Sequence, residues 1–283
     1  MQIFESASDL IPYLNKHKKV ASTIGLVPTM GALHEGHLSL VALSKAENSQ
    51  TVVSIFVNPI QFTNSKDLEL YPRPIDSDTQ MLEAAGCDIL FLPKAEEMYA
   101  MVPKTKMFFG YLEEVMEGAF RPGHFSGVGI IVSKLFNIVQ PQNAYFGQKD
   151  LQQLAVVKQM VQDLSFPINI VSCPIIRESD GLAMSSRNKR LTQKNRPEAA
   201  RINKALVIAG QKLENTPVQE VKKVVAAFIS VSHVLTLEYF EIVDAETFLP
   251  VTNVKSHKTI ALCIAVYLDE VRLIDNLILN PSI

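Results

Sequence analysis

The sequence predicts an α/β fold: a parallel sheet with flanking helices, followed by a smaller C-terminal α+β domain. Three observations predict it. Up to about residue 175, short apolar runs alternate with segments of helical periodicity, the rhythm of βαβ units. After about residue 180 the texture changes to proline-initiated helices followed by strand-like runs. Between the two lies a polar stretch, RESDGLAMSSRNKR at 177–190, which reads as a connection between domains. At 283 residues the chain is long enough for two domains with sizeable cores, and the boundary is placed between 1–176 and 177–283.

The strand candidates of the first region are 23–29, 51–57, 88–93, 143–147 and 168–173, each a β-branched or aromatic run bounded by turn formers. Between them, Leu38, Val41, Ala42 and Ala46 fall at helical spacing, as do Val128, Ile131, Leu135 and Ile138, and Leu151, Leu154, Ala155 and Met160. The second region predicts helices over 197–213 and 217–229, with Pro197 and Pro217 read as first helical residues, then strands over 237–243 and 259–268.

Composition narrows the function. With 27 basic and 29 acidic residues and a pI near 6.3, the chain lacks the basic excess that phosphate-backbone binding requires, so no nucleic-acid partner is expected. Cys87, Cys173 and Cys263 are far apart, without C-x-x-C pairs, and read as reduced buried thiols of a cytoplasmic protein. The start, MQIFESASDL, carries an acid where a signal peptide is basic, and the longest apolar runs are too short to span a bilayer. No membrane partner is expected.

Several segments carry candidate chemistry. PTMGALHEGH (28–37) follows the first predicted strand and opens a helix, where backbone N–H groups and the positive helix end receive phosphate. Gly31 and Gly36 have P-loop spacing, but His37 and Leu38 replace the required Lys and Ser/Thr, which excludes a Walker-type site. His34 and His37 around Gly36 form H-x-G-H, two imidazole donors for a polyphosphate; a hydrogen-bonded turn pair and half a metal site are the competing readings. In FGQKD (146–150), Gly147 is read as the turn after a strand, and Lys149 as an ammonium at the sheet's ligand-binding end, with a solvated surface lysine as the competing reading that the motif alone favours. GLAMSSRN (181–188) packs Ser185, Ser186 and Arg187 together as phosphate donors or as a helix cap in a linker. NPIQF (58–62) and RPGHFSGV (121–128) place Asn58, Gln61, Arg121 and His124 in loops. The GVG at 127–129 lacks the third glycine of a dinucleotide fingerprint.

Taken in order, PTMGALHEGH, VNPIQF, YPR, RPGHFSGV, FGQKDLQQL and DGLAMSSRN resemble the pantothenate synthetase (pantoate–β-alanine ligase) family of the HxGH nucleotidyl transferases, closely over 23 to about 190. The resemblance implies a Rossmann-like domain binding ATP and pantoate, and the small second domain with its polar linker suggests a lid that closes on ATP. It implies ligation in two steps: pantoate and ATP form pantoyl adenylate and pyrophosphate, then β-alanine displaces AMP to give pantothenate, a precursor of coenzyme A. The catalytic positions implied are His34, His37, Lys149, Ser185, Ser186 and Arg187. ATP contacts are implied for Met30, Gly31, Ala32, Leu33, Glu35 and Gly36 beside the two histidines, for Gly147, Gln148 and Asp150 beside Lys149, and for Ile176 and Met184. Met30, Asn58, Gln61 and Gln153 match the pantoate pocket, with Gln61 also near β-alanine. Mg²⁺ is implied on the phosphates, with Asp78 as the candidate carboxylate, and the family implies a homodimer. Gln148 stands where the family usually has Glu, and Lys66 where an acid is common. Another HxGH nucleotidyl transferase and a non-catalytic nucleotide-binding relative are the alternative readings.

Overall fold

The computed structural model describes residues 1–17 and 22–281. Its elements fall in two compact units, Met1–Gln148 with Gln152–Pro174, and Lys149–Leu151 with Ile175–Ile283. In chain order the first region runs β1 (Gln2–Phe4), α1 (Ala7–His17), β2 (Ile24–Thr29), α2 (Glu35–Glu47), β3 (Gln50–Ile55), α3 (Ser65–Glu69), α4 (Ile75–Ala84) and β4 (Ile89–Phe91). It continues with α5 (Ala95–Met98), α6 (Met116–Phe120), α7 (His124–Val139), β5 (Asn143–Gly147), α8 (Leu151–Asp163) and β6 (Asn169–Cys173). The remainder holds α9 (Arg201–Lys212), α10 (Val218–Ser230), β7 (Leu235–Asp244), β8 (Ile260–Leu268) and β9 (Val271–Leu279).

The first unit is a parallel sheet in the order β1-β4-β3-β2-β5-β6. Alternate residues of its strands enter opposite cores, as a sheet covered on both faces requires. Leu26, Val52, Ile89, Phe91, Ala144 and Phe146 pack with α1, α7 and α8, while Val27, Val53, Leu90 and Tyr145 pack with α2 and α4. The chain builds β2, β3 and β4 outward in one direction, then returns to lay β5 on the other side of β2. That reversal makes a ligand crevice outside the carboxyl ends of β2 and β5. Local chemistry opens it further. The β2–β5 ladder ends at Leu26 opposite Ala144, and Pro28, which has no N–H to donate, stands just beyond it.

The five predicted strands of this region are present as β2 to β6, whereas β1, three residues long, is too short to show a period. The face of α2 differs from the expected one. Its buried residues are Leu40, Val41 and Ser44, whereas Ala42 and Ala46 are exposed. The reason is close approach to β2: a Cβ on Gly25 would lie 2.2 Å from Ser44 Oγ, and that hydroxyl pairs with Thr51 Oγ1 at 2.8 Å. The helix therefore packs through a small hydroxyl against a glycine.

The second unit places α9 and α10 on an antiparallel sheet ordered β7-β8-β9. Ile202, Ala205, Leu206 and Ala209 of α9 and Val218, Val221, Val225 and Ile229 of α10 meet Ile260, Leu262, Ile264 and Val266 of β8 in one core. Pro197 lies in the first turn of a 3-10 segment, Arg196–Ala200, that precedes α9, and Pro217 is the N-cap of α10 instead of its first helical residue. The strand β9 lies outside the predicted elements because Asp275 and Asn276 interrupt its apolar run. The three cysteines are free and buried, and burial pushes the Cys87 and Cys173 thiols up to about 11. No helix among the described residues is long and apolar enough to cross a membrane.

The turn after β7 is organised by Asp244. Its carboxylate accepts from the N–H groups of Glu246 and Thr247, from the Thr247 hydroxyl and from His257 Nδ1, at 2.9–3.0 Å. Burial pushes this carboxyl up, but the donors around it outweigh burial and hold it down at about 2. A folded value below the unfolded one, about 3.9, means that the stabilisation is complete above about pH 4 and is lost as pH falls through 2. Asp244→Ala should cost about 1 kcal/mol at pH 7. Denaturant titrations at stepped pH should show the gap to the wild type shrinking between pH 4 and pH 2; a gap constant down to pH 2 contradicts this account.

Candidate active site

The carboxyl end of β2 leads into a loop with two successive left-handed residues, Gly31 at φ 76° and Ala32 at φ 52°. This backbone turns the N–H groups of Ala32 and Leu33 onto the carboxylate of Asp78, in the first turn of α4, at 2.7 and 2.8 Å. Asp78 has no exposed surface. Gly31 is required twice, because a Cβ there would also lie 2.9 Å from Asp78 Oδ2. At the loop's start, Thr29 Oγ1 donates to Ser54 O at 2.8 Å and accepts from Gly31 N at 3.2 Å.

The loop delivers His34 to the N-cap of α2, where Nδ1 accepts from Gly36 N at 3.1 Å. In the neutral ring the proton is therefore on Nε2, which makes the outer edge of the imidazole a donor. His37 follows in the first turn, its ring centroid 4.0 Å from that of His34. Two imidazoles stand together at the positive end of a helix. Glu35 is exposed and Gly36 half-buried beside them.

A second cluster surrounds the 3-10 turn Pro59–Gln61. Asn58 Nδ2 donates to Gln61 Oε1 at 2.9 Å and to Gly127 O at 3.1 Å, while Tyr99 Oη donates to Asn58 Oδ1 at 2.8 Å. Gln61 Nε2 reaches Met30 Sδ at 3.3 Å, which joins this cluster to the loop after β2. His124 holds the turn from the other side: Arg121 Nη1 donates to its Nε2 at 3.1 Å, so its Nδ1–H donates to Gln61 O at 2.8 Å. Gly127 lets α7 come this close, because a Cβ there would meet Ile60 O at 2.6 Å and Gln61 Cα at 2.7 Å. Sequence reasoning places Arg121 and His124 in a loop of undecided role; the structure has them supporting the backbone of Gln61. Tyr99 and Gly127 are missed as supports, since neither lies near Asn58 or Gln61 in the chain. Gln153 is half-buried on α8, and its neighbour Gln152 is the buried amide that ties α8 to the turn before α6, through Leu112 O and Val115 O, and to α6 itself through Glu117 N.

Gly147 ends β5 with its φ outside the left-handed region, so the predicted need for a turn glycine is not met there. A Cβ at Gly147 would meet nothing within 4 Å, which leaves the strand end open to a ligand. Gln148 follows in the 3-10 turn Gln148–Asp150, and Lys66 sits exposed on α3.

In the second unit, Lys149 Nζ lies 3.9 Å from Asp150 Oδ2. The segment carrying Ser185, Ser186 and Arg187 is a braced hairpin. Met184 N donates to Ile176 O at 2.9 Å, Arg177 bridges Ala183, and Gly181 takes φ 92° at the turn. Ser185 caps the 3-10 turn Ser186–Arg190, its Oγ accepting from Arg187 N at 3.3 Å. Arg196 donates to Asp180 and Glu178, both at 2.6 Å, and holds the Asp180 carboxyl below the usual carboxylate range.

Asp78 does not fit the metal role expected of it. Both oxygens accept backbone N–H groups and the side chain is sealed from solvent, so its charge is committed to the loop. Among the described residues, no three His, Cys, Asp or Glu side chains group as metal ligands.

An H-x-G-H loop at the topological switch point of a parallel sheet defines a nucleotide-binding type of α/β protein. The family model described as pantoate-beta-alanine ligase matches residues 2–278, and the chain belongs to that family. It is 48% identical over 276 residues to the pantothenate synthetase of Cytophaga hutchinsonii, covering 97% of this chain and 98% of that one. The crystal structure of pantothenate synthetase from Thermus thermophilus superposes with a TM-score of 0.91 at 40% identity, over 98% of this chain and 99% of that one. A pantoate-beta-alanine ligase from Francisella tularensis, complexed with beta-gamma ATP and beta-alanine, matches with a TM-score of 0.83 at 35% identity over the whole of both chains. Family membership favours ligation over the other nucleotidyl transferase readings.

If Asp78 is the clamp of the H-x-G-H loop, Asp78→Ala leaves two buried N–H groups without their acceptor and should cost about 3 kcal/mol. Denaturant unfolding should show a lower midpoint at unchanged slope; a loss under about 1 kcal/mol shows that the loop is held by other contacts.

Proposed function

We propose that the chain condenses pantoate with β-alanine at the expense of ATP, through a pantoyl adenylate, releasing pyrophosphate and AMP. The observation that carries this reading is the family match over residues 2–278, a span that contains the H-x-G-H loop, Lys149 and the Ser185–Arg187 segment.

In the first step a carboxylate oxygen of pantoate bonds to the α-phosphorus, and the bond to the bridging oxygen breaks, with pyrophosphate taking the electron pair. Charge gathers on the phosphate oxygens, and donors fixed beforehand lower that barrier. His34, through its Nε2–H, and His37 supply such donors from the N-terminus of α2. Lys149 neutralises charge on the α- and β-phosphates, and Ser185, Ser186 and Arg187 take the departing pyrophosphate. Met30 through Leu33, Glu35 and Gly36 line the nucleotide's path beside the histidines, with Gly147, Asp150 and Ile176 on the adenosine side and Gln148 and Met184 as further ATP contacts. Met30, Asn58, Gln61 and Gln153 orient pantoate. In the second step the β-alanine amine, placed beside Gln61, attacks the acyl carbon, the bond to AMP breaks, and the amine gives up a proton.

Mg²⁺ belongs to this reading as part of the substrate, carried on the ATP phosphates, whose charge it neutralises. The protein is read as a cytoplasmic homodimer, a reading supported by its free buried thiols for the compartment and by family resemblance for the dimer.

Without β-alanine, the enzyme should exchange labelled pyrophosphate into ATP only when pantoate is present, and adding β-alanine should yield AMP and pantothenate in equal amounts. Lys149→Ala should lower that exchange by roughly 10²–10³-fold with an unchanged circular dichroism spectrum. Undiminished exchange in the variant removes Lys149 from the mechanism.

A further inference from the structure

The strand β9 carries two polar residues in its middle, Asp275 and Asn276, which are 3% and 2% exposed. Opposite them in β8 stand Ile264 and Cys263, so the sheet itself has no use for polarity at these positions. Their partners lie elsewhere. Asp275 receives a two-pronged pair from Arg177 at 2.6 and 3.0 Å, and Arg177 also donates to Gly181 O at 3.0 Å and Asn276 O at 3.3 Å. Arg177 stands at the base of the hairpin that carries Ser185, Ser186 and Arg187. Asn276 Nδ2 donates to the backbone carbonyl of Lys149 at 2.9 Å, 127 residues away in sequence, while Asn276 N donates to Asp275 Oδ1 at 2.8 Å.

We infer that Asp275–Asn276 is a positioning bracket: one dipeptide of the last strand fixes the backbone of Lys149 and the base of the Ser185–Arg187 hairpin to the same rigid sheet. The inference rests on the roles proposed for Lys149 and that hairpin. Burying a hydrogen-bonded charge pair where an apolar pair would pack is costly, and what it secures here is the placement of two loops whose donors act on one triphosphate. Asn276 touches no reacting atom in this account; it acts through Lys149.

Two readouts on the full-length protein test it. The first is pantoate-dependent pyrophosphate exchange. Asn276→Ala should lower its maximal rate about tenfold, with the pantoate KM within twofold of the wild type. In a Lys149→Ala background the same change should have no further effect. The second readout needs no activity: limited acetylation by an amine-reactive ester, quantified by peptide mass spectrometry. Asn276→Ala should raise labelling of Lys149 about fivefold, while labelling of the exposed Lys158 is unchanged. Should Asn276→Ala fail to fold, Asn276→Asp keeps the volume, turns the donor into an acceptor facing a carbonyl, and is read in the same assays. Unchanged Lys149 labelling in a folded variant overturns the bracket, as does an equal rate loss with and without Lys149. If the wild type shows no exchange, the proposed function fails and labelling alone decides the bracket.

Discussion

The placement of the H-x-G-H loop depends on one buried carboxylate. Asp78 reaches from the start of α4 to the loop after β2 and accepts the N–H groups of Ala32 and Leu33, with no surface of its own exposed. Without that acceptor the left-handed Ala32 has no compensation for its backbone strain, and two donors stay buried and unpaired. With it, the chain leaves β2 in one direction only, and His34 arrives at the N-cap of α2 with its ring orientation set by Gly36 N. A carboxylate beside a phosphate-binding loop invites a metal assignment. Its geometry shows instead that both oxygens accept backbone N–H groups of the loop that leads to the histidine pair.

The sheet explains why the loop matters at that place. β2 and β5 are neighbours that separate before their carboxyl ends, where Pro28 has no N–H to extend the ladder and Gly147 leaves its surface bare. The separation opens a crevice at the carboxyl ends of the two strands, and the loop after β2 carries the histidine pair to it. Within each unit the supports are polar and buried. Tyr99, His124 and the carbonyl of Gly127 fasten the Asn58–Gln61 turn of the first, and Arg177 with Asp275 fastens the serine hairpin of the second. Such networks raise the cost of any other arrangement, since each member left unsatisfied is penalised.

The legible parts of this protein are those with a local period or a contiguous motif. β2 to β6 are strong apolar runs, and the helices α7 and α8 show clean stripes, so the α/β class follows from pattern alone. What fails to show is set by tertiary contact. The buried face of α2 turns toward Ser44 because Gly25 lies beneath it, and β9 hides because its centre is spent on Asp275 and Asn276. The same division holds at the site. H-x-G-H, N-P-I-Q and S-S-R are short and continuous, and can be read directly. Asp78, Tyr99, Gly127 and Asn276 hold those motifs from tens of residues away, and no spacing rule connects an aspartate in α4 to a loop after β2.

Formation of a pantoyl adenylate bonds a pantoate oxygen to the α-phosphorus of ATP, and isotope transfer follows that oxygen into the products. Pantoate labelled with ¹⁸O in its carboxylate is turned over with ATP and β-alanine, and the products are analysed by mass spectrometry. The account predicts one ¹⁸O in each AMP and none in pyrophosphate, because cleavage of the adenylate leaves the attacking oxygen on phosphorus. Label absent from AMP, or found in inorganic phosphate formed with ADP, would contradict an adenylate and with it the roles assigned to the histidine pair and Lys149.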